Sequence, residues 1–276
     1  MLFRSTVIGA AAVRATATLA LLSLKPGCFT HQGRDHGGAM WFSDLGVTAD
    51  APTAWLSGAP ASHPRPHAAH KGSHGDVLVI GGAPGMTGAA WLAASAALAA
   101  CAGRVYTSLL GQDAVHATPP RLELMTRQRA WLHAPPQLSA DTVVCGCGGG
   151  DAVRAALPPL LSHAGRLVLD ADALNAISAD ASLLQLLQGR AQRGLATLLT
   201  PHPLEAARLL GVPTGDIQHG RLAAAQTLAQ RLGATVLLKG SGSIIAAPGR
   251  VARINASGNA SLASAGTGDE IGRAHV

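Results

Sequence analysis

The chain has 276 residues, 48% hydrophobic, 13% charged and 3% aromatic, with 33 glycines; this fits a loop-rich α/β protein and excludes a disordered one. The formal net charge of +6 suits anionic ligands such as nucleotides. Nucleic-acid binding is disfavoured, because no dense Lys/Arg block is present and aromatics for base stacking are scarce.

Both ends look foreign to the rest. Residues 1–5 and 270–276 can be encoded by common sequencing-adapter sequence and are expected to be artefacts outside the fold. Val7 to Leu24 is apolar, but Arg14 interrupts it, and the run from Ala15 to Leu24 falls well short of the roughly 20 residues that span a bilayer. Its alternation at Thr16 and Thr18 predicts a buried strand and no membrane association. Residues 48–70 are rich in Pro, Ala and His without helical or strand period and read as a linker. His63, His67 and His70 lack carboxylate or cysteine partners nearby, so a solvated connector is favoured over a metal site. The four cysteines, Cys28, Cys101, Cys145 and Cys147, contain a C-x-C pair but no C-x-x-C repeat, which points to free thiols in a reducing cytoplasm.

From residue 77 onward, short β-branched runs alternate with helix formers. Val77 to Ile80 predicts a strand, Gly81-Gly82 a turn, and Ala89 to Ala102 a helix. The glycines at 82, 85 and 88 miss the G-x-G-x-x-G dinucleotide pattern, and no G-K-[ST] follows, so this is neither a Rossmann fingerprint nor a P-loop. Val105 to Leu109 is a second strand, Val143 and Val144 lead into the loop CGCGGG, and Asp151 starts a helix to about His163. Leu167 to Leu169 ends at Asp170, with Asp172 and Asn175 behind it, at the carboxyl end of a strand where open α/β sheets place their sites. Asp172 is equally suited to capping the next helix.

Thr197 to Leu199 leads into a compact TPHPLE corner. Pro203 fits a first helical turn, Glu205 complements the helix dipole, and His202 is aimed outwards. Arg221 to Leu232 is an amphipathic helix, Val236 to Lys239 a strand entering GSGS, and Ile244 to Ala247 with Val251 to Ile254 a hairpin around Pro248-Gly249. The repeated alternation predicts an α/β fold with a mainly parallel sheet and helices on both faces.

Asn255 to Asp269 reads NASGNASLASAGTGD. Gly266 and Gly268, flanking Thr267, allow a sharp turn whose amides converge on one point, and a helix beginning there would add its positive dipole end. This is an anion hole. Asp269 at its mouth has the placement of a base that takes a hydroxyl proton during phosphoryl transfer; alternatively it is an N-cap in a plain loop.

GTGD with Asn255, Gly258 and Asn259 is similar to the ribokinase-like superfamily. HKGSHG at 70–75, GGAPGMTGAA at 81–90, LTPHPLE at 199–205 and LLKGSGS at 237–243 narrow the likeness. This ordered set, from about Thr48 to Asp269, resembles the ADP-dependent NAD(P)H-hydrate dehydratases, lyases that repair hydrated nicotinamide cofactors. The stretch VRATATLALLSLKPGCFTHQGRDHGG resembles the closing segment of the NAD(P)H-hydrate epimerase domain of bifunctional repair enzymes. The resemblance therefore implies an epimerase remnant at 6–47, the linker at 48–70 and a truncated dehydratase domain at 71–269, impaired for want of a helix after Asp269.

The same resemblance implies roles for particular residues. Ala89, Gly148, Gly150, His202 and Asp269 would contact the (S)-NAD(P)H hydrate. Lys239, Gly240, Ser241, Gly242, Ser243 and Gly268 would hold ADP or AMP, while Gly266, Thr267 and Gly268 would form the anion hole and Asp269 would be the catalytic base. Asp170 would lie near the nucleotide phosphates or a metal, although no residue is assigned as a metal ligand. Cys147 and Gly149 replace the proline and leucine of the family's Gly-Pro-Gly-Leu-Gly, which implies a softer loop. The implied cofactors are ADP, with ATP as an alternative, and Mg2+, and a homo-oligomer is the expected assembly. Two other readings share parts of this pattern: a ribokinase-like vitamin-precursor kinase and a noncatalytic nucleotide-binding protein.

Overall fold

Threonine alternation near the start of the chain does produce a strand. In the computed structural model, which describes residues 6–7, 11–48, 51–59, 64–111, 118–129, 132 and 135–262, it is β1 (Ala17–Leu21). A 3-10 turn at Pro26–Phe29, the short helix α1 (Gly33–Gly37) and β2 (Ala39–Ser43) follow. β1 and β2 pair in parallel, with Leu19 opposite Trp41 and Ala20 opposite Phe42. The strand is not the buried one expected: Ala20 is buried, but Leu19, Leu21, Trp41 and Phe42 are exposed. Period alone identifies a strand; burial requires a second layer over it. The stretch read as linker contains a further strand, β3 (Ala54–Leu56), too short to show a period of its own.

The chain divides into two compact units, one formed by residues 1–60 with 201–260 and the other by 61–200 with 261–276. In the second, β4 (Asp76–Gly81), α2 (Thr87–Ala99), β5 (Arg104–Leu109) and β6 (Met125–Thr126) come first. Then follow α3 (Pro135–Ala140), β7 (Thr142–Cys145), α4 (Val153–His163), β8 (Arg166–Leu169), α5 (Ala171–Ser178), α6 (Ala181–Gln192) and β9 (Ala196–Leu199). The described strands run in the order β9-β8-β7-β4-β5-β6, with every described pair in this run parallel. Val77, Leu78, Val79 and Ile80 of central β4 are all buried, the continuous apolar run typical of a parallel strand. Ala90, Ala93, Ala94 and Ala97 of α2 pack in one cluster with Val77, Val79, Val105 and Leu109. Small side chains there let the helix backbone approach the strands closely.

In the first unit, α7 (Pro203–Leu210), α8 (Thr214–His219) and α9 (Arg221–Leu232) precede β10 (Thr235–Leu238), β11 (Ile244–Ala246) and β12 (Ala252–Ile254). The predicted hairpin is present: β11 is antiparallel to both β10 and β12, and β12 then pairs in parallel with β3. That last pairing explains the strand inside the supposed linker, since Ala54–Leu56 meets the otherwise unpaired edge of β12.

Arg190 on α6 is fully buried. Its Nε donates to Thr197 Oγ1 (2.8 Å), Nη1 to the carbonyls of Leu160 (3.3 Å) and Leu161 (3.1 Å), and Nη2 to that of Ala196 (3.0 Å). These ties join α4, α6 and β9. Burial, with Arg193 adding repulsion, pulls its pKa down to about 10, so it remains cationic at neutral pH. Arg190→Ala should destabilise the protein by about 3 kcal/mol or more, because it leaves a cavity and several buried acceptors unpaired. Arg190→Met, which refills the volume, should cost less. Urea unfolding measures both, and a loss under about 1 kcal/mol for the alanine variant would show that these bonds contribute little.

Candidate active site

In the unit of residues 61–200, parallel pairing ends β4 and β7 side by side, so the turn after Gly81 and the loop after Cys145 leave the sheet together. The two are laced by backbone bonds: Gly146 N donates to Ile80 O (3.1 Å), Gly82 N to Cys147 O (3.0 Å) and Ala83 N to Gly148 O (2.7 Å). Gly148 has φ +58°, and a Cβ placed on it would lie 2.8 Å from Met86 O and 2.9 Å from Ala89 Cβ. Two residues implied by the family resemblance to touch the hydrated nucleotide are thus packed against each other. A side chain at position 148 would not permit that approach.

Gly150 also has positive φ, at +52°, and its amide donates to Asp172 Oδ2 at 2.8 Å. Asp172, considered as a helix cap, instead tethers the glycine loop to α5. Asp170 is buried at the end of β8, with its amide bonded to Cys145 O (3.1 Å) and its carbonyl accepting from Ala173 N (3.1 Å). Cys145 is buried at the base of the same loop, and desolvation pushes its thiol up to about 12. It is therefore a neutral packing residue rather than a nucleophile.

In the unit holding residues 201–260, His202 and Glu205 form a reciprocal cap on α7. His202 Nδ1 accepts from the amides of Leu204 (3.1 Å) and Glu205 (3.4 Å), while Glu205 Oε2 accepts from His202 N (2.8 Å). His202 Nε2 lies 3.2 Å from Glu205 Oε1, with the imidazole side chain 44% exposed and the carboxylate buried. With Nδ1 accepting, Nε2 carries the proton and donates to Glu205. The ring is held by its nitrogens and presents its exposed edge outwards, so the corner is rigid as the two prolines suggest.

Lys239 N donates to Pro201 O (2.9 Å), which ties the start of the KGSGS loop to this corner. Gly240 and Gly242 have φ of +129° and +70°, and Ser243 Oγ donates to Gly240 O at 3.1 Å. Asn255 N donates to Ser243 O (2.8 Å), while Asn255 Oδ1 accepts from the amide (3.1 Å) and hydroxyl (2.8 Å) of Ser257. The structure therefore brings His202, Lys239 to Ser243 and Asn255 together within this unit.

Three residues that bond to this loop or to the stretch after Asn255 were not singled out from sequence. Arg221 at the start of α9 donates to the carbonyls of Lys239 (3.0 Å) and Leu238 (3.3 Å), His31 N donates to Ser241 O (2.9 Å), and Arg34 Nη2 donates to the carbonyls of Ala256 (3.0 Å) and Gly258 (3.1 Å). His31 and Arg34 lie in the segment that resembles a different domain, and Arg221 reads as an ordinary position of an amphipathic helix. No local signal marks any of them. Gly266, Thr267, Gly268 and Asp269, the predicted anion hole and base, lie outside the described residues, as do the supposed adapter ends.

Strand-helix alternation, a mostly parallel sheet and glycine loops following the strands define a ribokinase-like α/β protein. A ribokinase-like superfamily protein from Enterococcus faecalis shares this fold with a TM-score of 0.60 at 24% identity, covering 76% of this chain and 72% of that one. A family profile described as NAD(P)H-hydrate dehydratase matches residues 77–272, and the chain belongs to that family. It is 42% identical over 209 residues to the ADP-dependent (S)-NAD(P)H-hydrate dehydratase of Neisseria meningitidis, covering 74% of this chain and 68% of that protein. It is 34% identical over 277 residues to the bifunctional NAD(P)H-hydrate repair enzyme of Escherichia coli, covering 95% of this chain and 51% of that enzyme, so it spans about half the length of this bifunctional relative. The ADP/ATP-dependent NAD(P)H-hydrate dehydratase of Bacillus subtilis, co-crystallized with ATP/Mg2+, superposes with a TM-score of 0.60 at 28% identity over 75% of this chain and 73% of its own.

The contact between Gly148 and Ala89 can be tested by a double-mutant cycle. Gly148→Ala should lower the melting temperature, and Ala89→Gly should recover part of that loss by removing one of the two closest contacts, with a coupling of about 0.5 kcal/mol or more. Strict additivity of the two substitutions in thermal unfolding would show that the residues do not meet.

Proposed function

We propose that this chain carries out the ADP-dependent dehydration of (S)-NAD(P)H hydrate back to NAD(P)H, as the dehydratase part of a nicotinamide-cofactor repair enzyme. The observation that carries this reading is the Lys239–Ser243 loop: it leaves β10 through two positive-φ glycines and is tied by its first amide to the His202 corner. Such a loop offers backbone amides and a lysine to an anion, as nucleotide phosphates require. Family membership favours the dehydratase over a vitamin-precursor kinase, and a noncatalytic nucleotide binder would not need the second glycine loop at 146–150.

In this reading Lys239, Gly240, Ser241, Gly242 and Ser243 bind the nucleotide, and Ala89, Gly148, Gly150 and His202 orient the hydrated nicotinamide nucleotide. Asp269 takes the proton of the C6 hydroxyl as its oxygen bonds to the terminal phosphorus of ADP, and AMP departs with the electrons of the broken P–O bond. The amides of Gly266, Thr267 and Gly268 stabilise the transferring group. Cleavage of the C6–O bond then releases phosphate, and loss of the C5 proton restores the ring double bond.

Mg2+ bound with the nucleotide would neutralise phosphate charge. It is usually held by phosphate oxygens and one or two carboxylates rather than by a protein cage. In this reading Asp170, at the end of β8, is the carboxylate that would lie near that ion. We also assign residues 6–47 to the end of an epimerase domain, 48–70 to the connector and 71–269 to the dehydratase. Among the described residues no helix is long and apolar enough to cross a membrane. A homo-oligomer in the cytoplasm, where thiols outside any disulfide such as Cys28 and Cys145 stay reduced, completes the reading.

The test uses the full-length natural protein. Recovery of dihydronicotinamide absorbance from the hydrate should require ADP or ATP, and Asp269→Asn should lower turnover by about 10²-fold or more with ADP affinity retained. Recovery without nucleotide would overturn the mechanism, and parallel loss of binding and turnover would make Asp269 a structural cap.

A further inference from the structure

Arg221 is 2% exposed beneath the KGSGS loop. Nη1 donates to Gln218 Oε1 (3.0 Å), and Nη2 faces the carbonyls of Lys239 (3.0 Å), Leu238 (3.3 Å) and Gly242 (3.5 Å). No carboxylate is among these partners, and the buried Nε has none. A Cβ on Gly240 would lie 3.1 Å from both Nη1 and Nη2, so the glycine backbone rests directly on the guanidinium. Burial pulls its pKa down to about 10, which leaves it charged at neutral pH. His31 registers that charge: its pKa is lowered first by burial and next by Arg221.

The peptide unit is planar and trans, so a carbonyl and the amide that follows it point in opposite directions. If the carbonyls of Lys239 and Gly242 turn in towards Arg221, the N–H groups of Gly240 and Ser243 turn away from it. A guanidinium is suited to this, since its fixed fork spans several acceptors at once and a lysine's single point does not. A buried cation whose described hydrogen-bond partners are all neutral carbonyls also creates a positive field, which favours an anion nearby.

We propose that Arg221 is the positioning residue of the nucleotide loop: it holds the Lys239 and Gly242 carbonyls inward so that the amides of Gly240 and Ser243 face the nucleotide phosphates. It does not itself touch the ligand. The inference rests on the reading of Lys239–Ser243 as the nucleotide loop and names the group that gives that loop its shape. Its ligand class is the di- or triphosphate group rather than the base.

Calorimetric titration with ADP and, separately, with inorganic pyrophosphate tests it on the full-length natural protein. Arg221→Met should weaken both ligands about 10- to 100-fold, the scale of removing the outer support of a binding site. Arg221→Lys should recover only part of the loss. Arg190→Met, which removes a comparable buried guanidinium in the other unit, serves as the control and should leave both affinities within about twofold while lowering stability. Unchanged affinity in Arg221→Met, or loss for ADP but not pyrophosphate, overturns the proposal. If Arg221→Met does not melt cooperatively, Arg221→Lys decides in its place, and affinity equal to the parent's overturns the proposal. Failure of the parent chain to bind either ligand would count against the nucleotide-loop reading itself and with it the role of Arg221.

Discussion

Parallel pairing is the constraint on which the candidate site in residues 61–200 depends. Ile80 of β4 sits opposite Cys145 of β7, Cys145 opposite Leu169 of β8, and Leu169 opposite Leu199 of β9, so these strands all end at one edge. Each following residue is therefore a loop residue at the same edge: Gly82, Gly146, Asp170 and Thr200. An antiparallel order would send alternate loops to opposite ends and separate them. Once brought together, the loops must satisfy their own amides, and they do so on one another, through Gly82 on Cys147, Ala83 on Gly148 and Gly150 on Asp172. Positive φ at Gly82, Gly146, Gly148 and Gly150 is the local consequence of that crowding.

Among the described residues buried arginine is used twice, once in each unit, and both times against carbonyl groups. Arg190 collects acceptors from Leu160, Leu161 and Ala196 together with the Thr197 hydroxyl, all at element ends. Arg221 collects those of Leu238, Lys239 and Gly242. A buried cation without a carboxylate is expensive to desolvate, yet its partners are carbonyls that would otherwise be buried unpaired, so the two costs offset. The difference between them lies in what they hold. The carbonyls on Arg190 belong to helix and strand ends, whereas those on Arg221 flank the glycine loop that follows β10.

The His202 corner solves a related problem with different chemistry. A helix start leaves amides unpaired, and here the imidazole accepts two of them while Glu205 reaches back to the His202 amide and ring. One pair of side chains caps α7, fixes the tautomer and holds the exposed ring edge in place. Lys239 then joins the corner through Pro201, so the KGSGS loop and the His202 ring share one support.

Sequence alone determined most of the element types and the fold class, because side-chain period and glycine or proline punctuation are local properties. The strands near Val77, Val105, Leu167, Thr197 and Val236, the helices of 153–163 and 221–232 and the hairpin around Pro248-Gly249 all follow from a few neighbouring residues. The glycine loops were legible too, since a run such as CGCGGG or KGSGS has few other uses. Tertiary structure alone decided which surfaces are covered and which groups meet. Leu19 is exposed in a strand whose pattern suggests burial, and Ala54–Leu56 is a strand because β12 is beside it. Asp172 binds Gly150 across 22 residues and Arg221 binds Gly242 across 21. Such contacts depend on where the chain returns to, and a hydrogen bond between distant residues leaves no trace in the period of either.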